Sequence, residues 1–247
     1  MFTVEQRDAL REHLLRLAEG DERVIAGAAV GSLAVDSGDR FSDLDLTFAI
    51  ADAVPVAEVL DAWTRTLAQE LGAVHLVDLV RSPTIYRVFL LPDALQFDLS
   101  MTPAAQFRPA GPRFRLLFGE IAAGEPEIPA SPDVAGLFGW GVIYALHARA
   151  CIERGRVWQA EHYVGAVRDR ALTLACLREG LPAEQAHGYD DLPAETLARF
   201  EAAHVRDVEP DALRTALAAS VHALIRAGGE AHLPHAHTVG QRLAELR

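Results

Sequence analysis

A chain of 247 residues exceeds one typical domain and falls short of three, so two domains are expected. The formal net charge of −12 disfavours binding to a nucleic-acid backbone, an affinity that comes from a basic surface releasing counterions, and makes a cationic partner more natural. Hydrophobic residues are 50% of the chain but are scattered among charges, with no window near the roughly 18 unbroken apolar residues of a membrane helix. The first twenty residues, MFTVEQRDALREHLLRLAEG, carry charges at helical spacing and no secretory pattern, so a soluble, cytoplasmic protein without a membrane partner is expected.

In chain order, Val4, Leu10, Leu14 and Leu17 predict an amphipathic opening helix that stops near Gly20. The run Val24–Val30 is short, apolar and ends in Gly-Ser, as a buried strand does before a tight turn. Residues 33–42, rich in Gly, Ser and Asp, predict a loop with room for a short helix, and Leu44–Ile50 resumes as a second strand. Leu60, Trp63, Leu67 and Leu71 share one side of a helix over Val56–Leu71, followed by strand-like runs at 73–80, 84–91 and 94–101, the last two turning at Pro92-Asp93. The fold class is therefore α+β: an N-terminal mixed sheet with flanking helices.

The stretch from Pro103 to Pro132 is dense in Pro and Gly and is read as a connection, which places the domain boundary at 127/128, between domains 1–127 and 128–247. Beyond it everything reads as helix, giving a C-terminal α-helical bundle. Ser131-Pro132 is a cap-and-start pair for a helix from Asp133 to about Arg154, and another helix spans Val157–Glu179 before Gly180. Shorter helices are expected near 194–204, 210–227 and 238–246. Cys151 and Cys176 lack disulfide or zinc spacing and read as buried thiols, and the His232, His235, His237 group reads as polar surface. Every one of the 23 basic residues is Arg, so any phosphate clamp must be a guanidinium.

The chemistry sits near the start. Asp43 and Asp45, two apart at a strand start, leave the same face of the sheet, while Leu44 and Leu46 face the other side. Such neighbours repel, and in a partly buried pair one pKa is driven up unless a divalent cation keeps both ionised. Magnesium suits them, because it takes a few carboxylates together with water and triphosphate oxygens. Asp98, a lone acid within the apolar Leu95-Gln96-Phe97-Asp98-Leu99 run, would be costly unpaired. Setting its strand beside the Asp43-Asp45 strand gives three carboxylates, enough for one or two metal ions, and Asp98 is also placed to accept a proton from an attacking hydroxyl. Gly31-Ser32 at a strand end lets backbone amides and a hydroxyl approach phosphate oxygens. Arg40 reads as a solvated loop residue or as a phosphate-loop cation.

Gly31-Ser32, the ten-residue spacer, Ser42-Asp43-Leu44-Asp45-Leu46 and Gln96-Phe97-Asp98-Leu99 together resemble the DNA polymerase beta superfamily of nucleotidyltransferases. Within it, a small catalytic domain followed by a helical one is similar to the antibiotic nucleotidyltransferases that act on aminoglycosides and lincosamides. The motif resemblance covers roughly residues 24–101, and the C-terminal half matches in helical character alone. The resemblance implies a catalytic, metal-holding triad at Asp43, Asp45 and Asp98, triphosphate binding at Gly31-Ser32, and ATP as the co-substrate.

On the Val157–Glu179 helix, Val157, Ala160, Val164, Val167, Ala171 and Leu174 form the core stripe and leave Glu161, Gly165 and Arg168 on another face. Two readings stand there: an ordinary exposed pair, or Arg168 reaching the triphosphate with Glu161 anchoring a cationic acceptor or acting as base. The expectation is transfer of a nucleoside monophosphate, AMP from ATP, to a hydroxyl of a small cationic acceptor such as an antibiotic, in a cleft between the two domains. Two alternatives are a transferase that modifies a protein partner, as in toxin–antitoxin pairs, and a noncatalytic nucleotide-binding protein. Both are weakened, the first by the large helical half and the second by the intact acidic set.

Overall fold

The computed structural model describes residues 2–35, 38–39, 41–109, 111–124 and 132–244. It packs as two compact units, Met1–Ala130 and Ser131–Arg247. The expected 127/128 boundary falls within 125–131, outside the described residues, as does Arg40.

The first unit is a mixed six-stranded sheet with helices on it. Its order along the chain is α1 (Val4–Glu19), β1 (Val24–Val30), α2 (Gly31–Ala34), β2 (Leu44–Ile50), α3 (Val56–Leu71), β3 (Val74–Arg81), β4 (Thr84–Leu90), β5 (Gln96–Pro103) and β6 (Phe114–Phe118). Thr3 starts α1 with a capping box: its hydroxyl accepts from the Gln6 amide while the Gln6 side chain accepts from the Thr3 amide. Gly20 closes the helix, as its sequence predicts. Across the sheet the strands run β3-β4-β5-β2-β1-β6, and only the central pair β2–β5 is parallel.

Alternation along β2 and β5 decides the layers. Leu44, Leu46, Phe48 and Ile50 from β2, with Phe97, Leu99 and Met101 from β5, are at most 1% exposed and pack against Leu14 and Ala18 of α1 and Val59, Leu60, Trp63 and Leu67 of α3. The opposite face has a smaller apolar cluster of Ala26, Ala28, Ala49 and Phe107. Near the starts of β2 and β5 this second face carries the acids Asp45 and Asp98, followed by the buried Thr47, Ser100 and Thr102.

The sequence misses β6, which falls inside the stretch read as a connection. Phe114–Phe118 pairs antiparallel with β1 (Gly27↔Phe118, Ala28↔Leu116, Ala29↔Arg115, Val30↔Phe114), so it is held by residues more than eighty positions away while Pro and Gly flank it locally. Short edge strands give a weak local signal for this reason.

The second unit is helical: α4 (Val134–Glu153), α5 (Val157–Glu179), α6 (Ala194–Ala198), α7 (Pro210–Glu230) and α8 (Ala236–Ala244). Its interior comes from α4, α5 and α7; of the predicted α5 stripe Ala160, Val164, Val167, Ala171 and Leu174 are buried and Val157 is partly buried, and Cys151 and Cys176 are buried free thiols. Asp133, and not the expected Ser131, caps α4: its carboxylate accepts from the Gly136 amide, a bond an aspartate makes readily at a helix start. The helix expected over 194–204 is shorter, ending at Ala198 before a 3-10 turn at Glu201–Ala203, because Phe200 folds back into the core at 7% exposure. By length and composition α4 passes as a membrane span, yet Phe138, Gly141, Ala145, Ala148, Cys151 and Ile152 lie buried in the helical interior, and core helices share that composition.

Candidate active site

The parallel register of β2 and β5 sets Asp45 directly opposite Asp98, with Leu44 opposite Phe97 and Leu46 opposite Leu99. Asp43, immediately before β2, lies on the same side of the strand as Asp45. One carboxylate oxygen from each of Asp43, Asp45 and Asp98 comes within 4.8 Å of the others, and all three residues are half-buried. Among the described residues this is the one acidic, His or Cys cluster that could hold a metal ion. The leucines and Phe97 behind it are essentially inaccessible, so the core fixes the direction in which the carboxylates emerge.

Such crowding has an electrostatic consequence. Burial, and then the charges of Asp43 and Asp98, push the Asp45 carboxyl up from 3.8 to about 7. Asp98 is also raised, chiefly by burial with Asp43 adding to it, while the Gln96 amide opposes the rise by donating to both Asp98 oxygens at 3.0 and 3.2 Å. Three hard oxygen donors that repel one another at neutral pH are a donor set suited to a divalent cation, whose charge reverses the penalty.

Gly31 opens the turn beside this cluster with φ of +67°, a left-handed conformation in which a side chain is strained. It is required twice over, since a Cβ here would collide with the Asp45 carboxylate oxygen Oδ2. The main chain of Gly31-Ser32 therefore passes directly against the acid that β2 contributes. Gly31 and Ser32 are the first two residues of the four-residue α2.

Two arginines that the sequence did not single out brace this architecture. Arg7, on the buried stripe of α1 with Leu14 and Ala18 and only 2% exposed, donates from Nη1 to the carbonyls of Asp39 (2.5 Å) and Ser42 (3.3 Å). Asp39 in turn accepts from the Phe41 amide at 2.8 Å and the Ser42 hydroxyl at 3.1 Å, a turn lock that sets the chain direction just before Asp43. Arg115 of β6 donates from Nη2 to the Leu33 carbonyl at 2.8 Å, holding α2. The signal for Arg7 was present, because a charged residue on an apolar helical stripe needs a partner. None existed for Arg115, whose strand was itself hidden.

Arg168 and Glu161 belong to the helical unit, on α5. Arg168 donates from Nε and Nη2 to Asp169 Oδ1 at 3.1 and 3.0 Å, so its guanidinium already faces a carboxylate.

No family model and no curated protein matches the chain. Among solved structures it is similar to an aminoglycoside 6-adenyltransferase from Bacillus subtilis. That likeness spans 100% of this chain and 99% of the other at 10% identity, with a TM-score of 0.42. At so low an overlap, a functional reading has to stand on the site's own geometry.

Proposed function

We propose that this chain is a metal-dependent nucleotidyltransferase that moves a nucleoside monophosphate, AMP from ATP, onto a hydroxyl of a small cationic acceptor. The observation that carries the reading is the Asp45↔Asp98 register, which joins two acids 53 positions apart to Asp43 beside the Gly31 turn. Structural acids have no need of that convergence, and the raised Asp45 carboxyl reflects burial and repulsion that a bound cation would relieve.

In this reading Asp43, Asp45 and Asp98 would hold one or two magnesium ions, which neutralise triphosphate charge and make the acceptor hydroxyl more acidic. Gly31-Ser32 approaches the phosphates with backbone amides and the serine hydroxyl. The acceptor oxygen attacks the α-phosphorus in line, the bond from that phosphorus to the bridging oxygen breaks, and pyrophosphate leaves. Asp98 is placed to take the hydroxyl proton directly or through water. Arg7 and Arg115 act from behind by fixing the loops, so most of the acceleration comes from positioning and charge. Arg168 is not needed for these steps while Asp169 engages it. The net charge of −12 supports a cationic acceptor, a class that includes aminoglycosides.

Pyrophosphate release tests the proposal: magnesium and each of the four nucleoside triphosphates, with and without a panel of aminoglycosides and lincosamides, for wild type and Asp45→Asn. The expected result is acceptor-dependent release that the variant lowers by about a hundredfold or more. Absence of both release and magnesium-dependent triphosphate binding in the wild type would overturn it.

A further inference from the structure

The helical unit contains a cavity of about 320 Å³ between α5, α6 and α7, far along the chain from the acidic cluster. Ala175 from α5 and Ala219, Ala223 and Ala227 from α7 form much of its lining. The three on α7 are spaced by four residues, so their Cβ atoms fall on one side of the helix and leave space where longer side chains would fill it. Phe200 borders the same space.

The polar part of the lining is cationic in a chain that is otherwise acidic. Arg199, His222, Arg226 and Glu230 surround the cavity. Glu230 is already engaged: Arg178 donates to it, and Arg199 approaches it at 3.9 Å. Arg226 forms no ion pair among the described residues. Thr196 also lines the cavity, is 5% exposed, and its hydroxyl makes no hydrogen bond among the described residues. That hydroxyl is available to donate into the cavity, and an arginine beside an alanine surface offers a fork suited to a carboxylate.

We propose that this cavity binds a small organic carboxylate, with its apolar body on the alanines and its oxygens accepting from Arg226, Arg199 and the Thr196 hydroxyl. The volume falls in the range of small-molecule pockets, about 300–1,000 Å³. The site is independent of nucleotidyl transfer, using neither metal nor triphosphate.

Calorimetric titration of the full-length chain tests it, in EDTA and without nucleotide, with benzoate, isovalerate and phenylacetate as probes and benzamide as the neutral counterpart of benzoate. At least one acid is expected to bind saturably, with benzamide weaker than benzoate by about tenfold or more. Arg226→Gln, at an exposed position, and Thr196→Val, which keeps the side-chain shape, should each weaken the acid severalfold, while Asp45→Asn leaves it unchanged. The proposal is overturned if no acid binds, if benzamide binds as well as benzoate, if affinity survives Arg226→Gln in a chain with a native circular dichroism spectrum, or if it shifts with Asp45→Asn.

Discussion

Most of the large, fully buried side chains, Phe48, Phe89 and Phe97 among them, lie in the sheet unit, and the helical unit contributes leucines such as Leu213 and Leu224. The helical interior is built instead on small residues such as Ala145, Ala148, Ala160, Ala171 and Ala175, with Gly141 facing Leu224 and Gly228 facing Phe138. The two materials serve different ends. Large interlocked side chains directly behind β2 and β5 resist movement, which lets three repelling carboxylates stay together on the other face. Small residues let helices approach closely, and where alanines accumulate along one side of α7 they leave a cavity.

The sharpest way to break that comparison is to remove bulk from each interior. Phe97 is inaccessible, sits opposite Leu44 in the register and stacks on Phe89 with ring centroids 5.8 Å apart. Phe97→Ala should lower unfolding stability by about 3–5 kcal/mol and, because Asp98 is the next residue, weaken magnesium binding as well. Leu213→Ala should cost about 2–5 kcal/mol and leave magnesium affinity unchanged. Denaturant unfolding and metal titration on both variants decide the matter: equal loss of metal binding would mean that the rigid bed is not what holds the triad.

The second test concerns charge. With its carboxyl raised from 3.8 to about 7, Asp45 binds more protons folded than unfolded between those values, so the metal-free chain should lose stability as pH rises through that window and level off above it. The full shift corresponds to about 4 kcal/mol at most. Asp21 works in the opposite sense: held down to about 2 chiefly by Arg23, it adds stability that is present above 3.8 and is lost as pH falls through 2. Melting temperatures in EDTA from pH 4 to 8 should therefore decline toward neutrality, Asp45→Asn should flatten the decline, and magnesium should restore the wild type at pH 8. A decline that persists in Asp45→Asn would move its source away from Asp45.

What the sequence made legible follows the same division between local and distant causes. Local pattern places β1, β2, α3 and α5 at their observed positions, the strands as short apolar runs buried on both faces and the helices as apolar stripes at helical spacing. The Asp43–Asp45 spacing, with Leu44 and Leu46 between and after, announces two acids on one face, and the structure has them there. By contrast, β6 depends on pairing with β1, and the Arg7 brace reaches over thirty residues to Asp39 and Ser42. The cap of α4 falls on Asp133 and not on the Ser131 expected from the Ser-Pro pair, so the helix begins at Val134, one residue past the expected Asp133. Each of these depends on geometry between segments or on competition between adjacent caps, which a linear pattern does not record.

A methyl group added to each unit gives a third and a fourth test. In the helical unit a Cβ on Gly228 would strike the Phe138 ring, so Gly228→Ala should cost about 1–3 kcal/mol with metal and triphosphate binding intact.

The sheet-unit counterpart should cost less stability and more function. Gly31→Ala forces a side chain into φ +67°, worth about 1–2 kcal/mol of strain, and drives its methyl against Asp45 Oδ2. The core behind Asp45 is too tightly packed for β2 to retreat, so the carboxylate must rotate away from Asp43 and Asp98 or the turn must shift off it. Either movement separates the Gly31 turn from the acids, and magnesium-dependent triphosphate binding should fall by about tenfold or more while the melting temperature drops only a few degrees. Unchanged binding in Gly31→Ala would mean that the turn and the carboxylates do not act as one site, even if each is needed. A loss of binding matched by Asp45→Asn, with Gly228→Ala behaving as wild type, would instead tie the ligand to the narrow contact between Gly31 and Asp45.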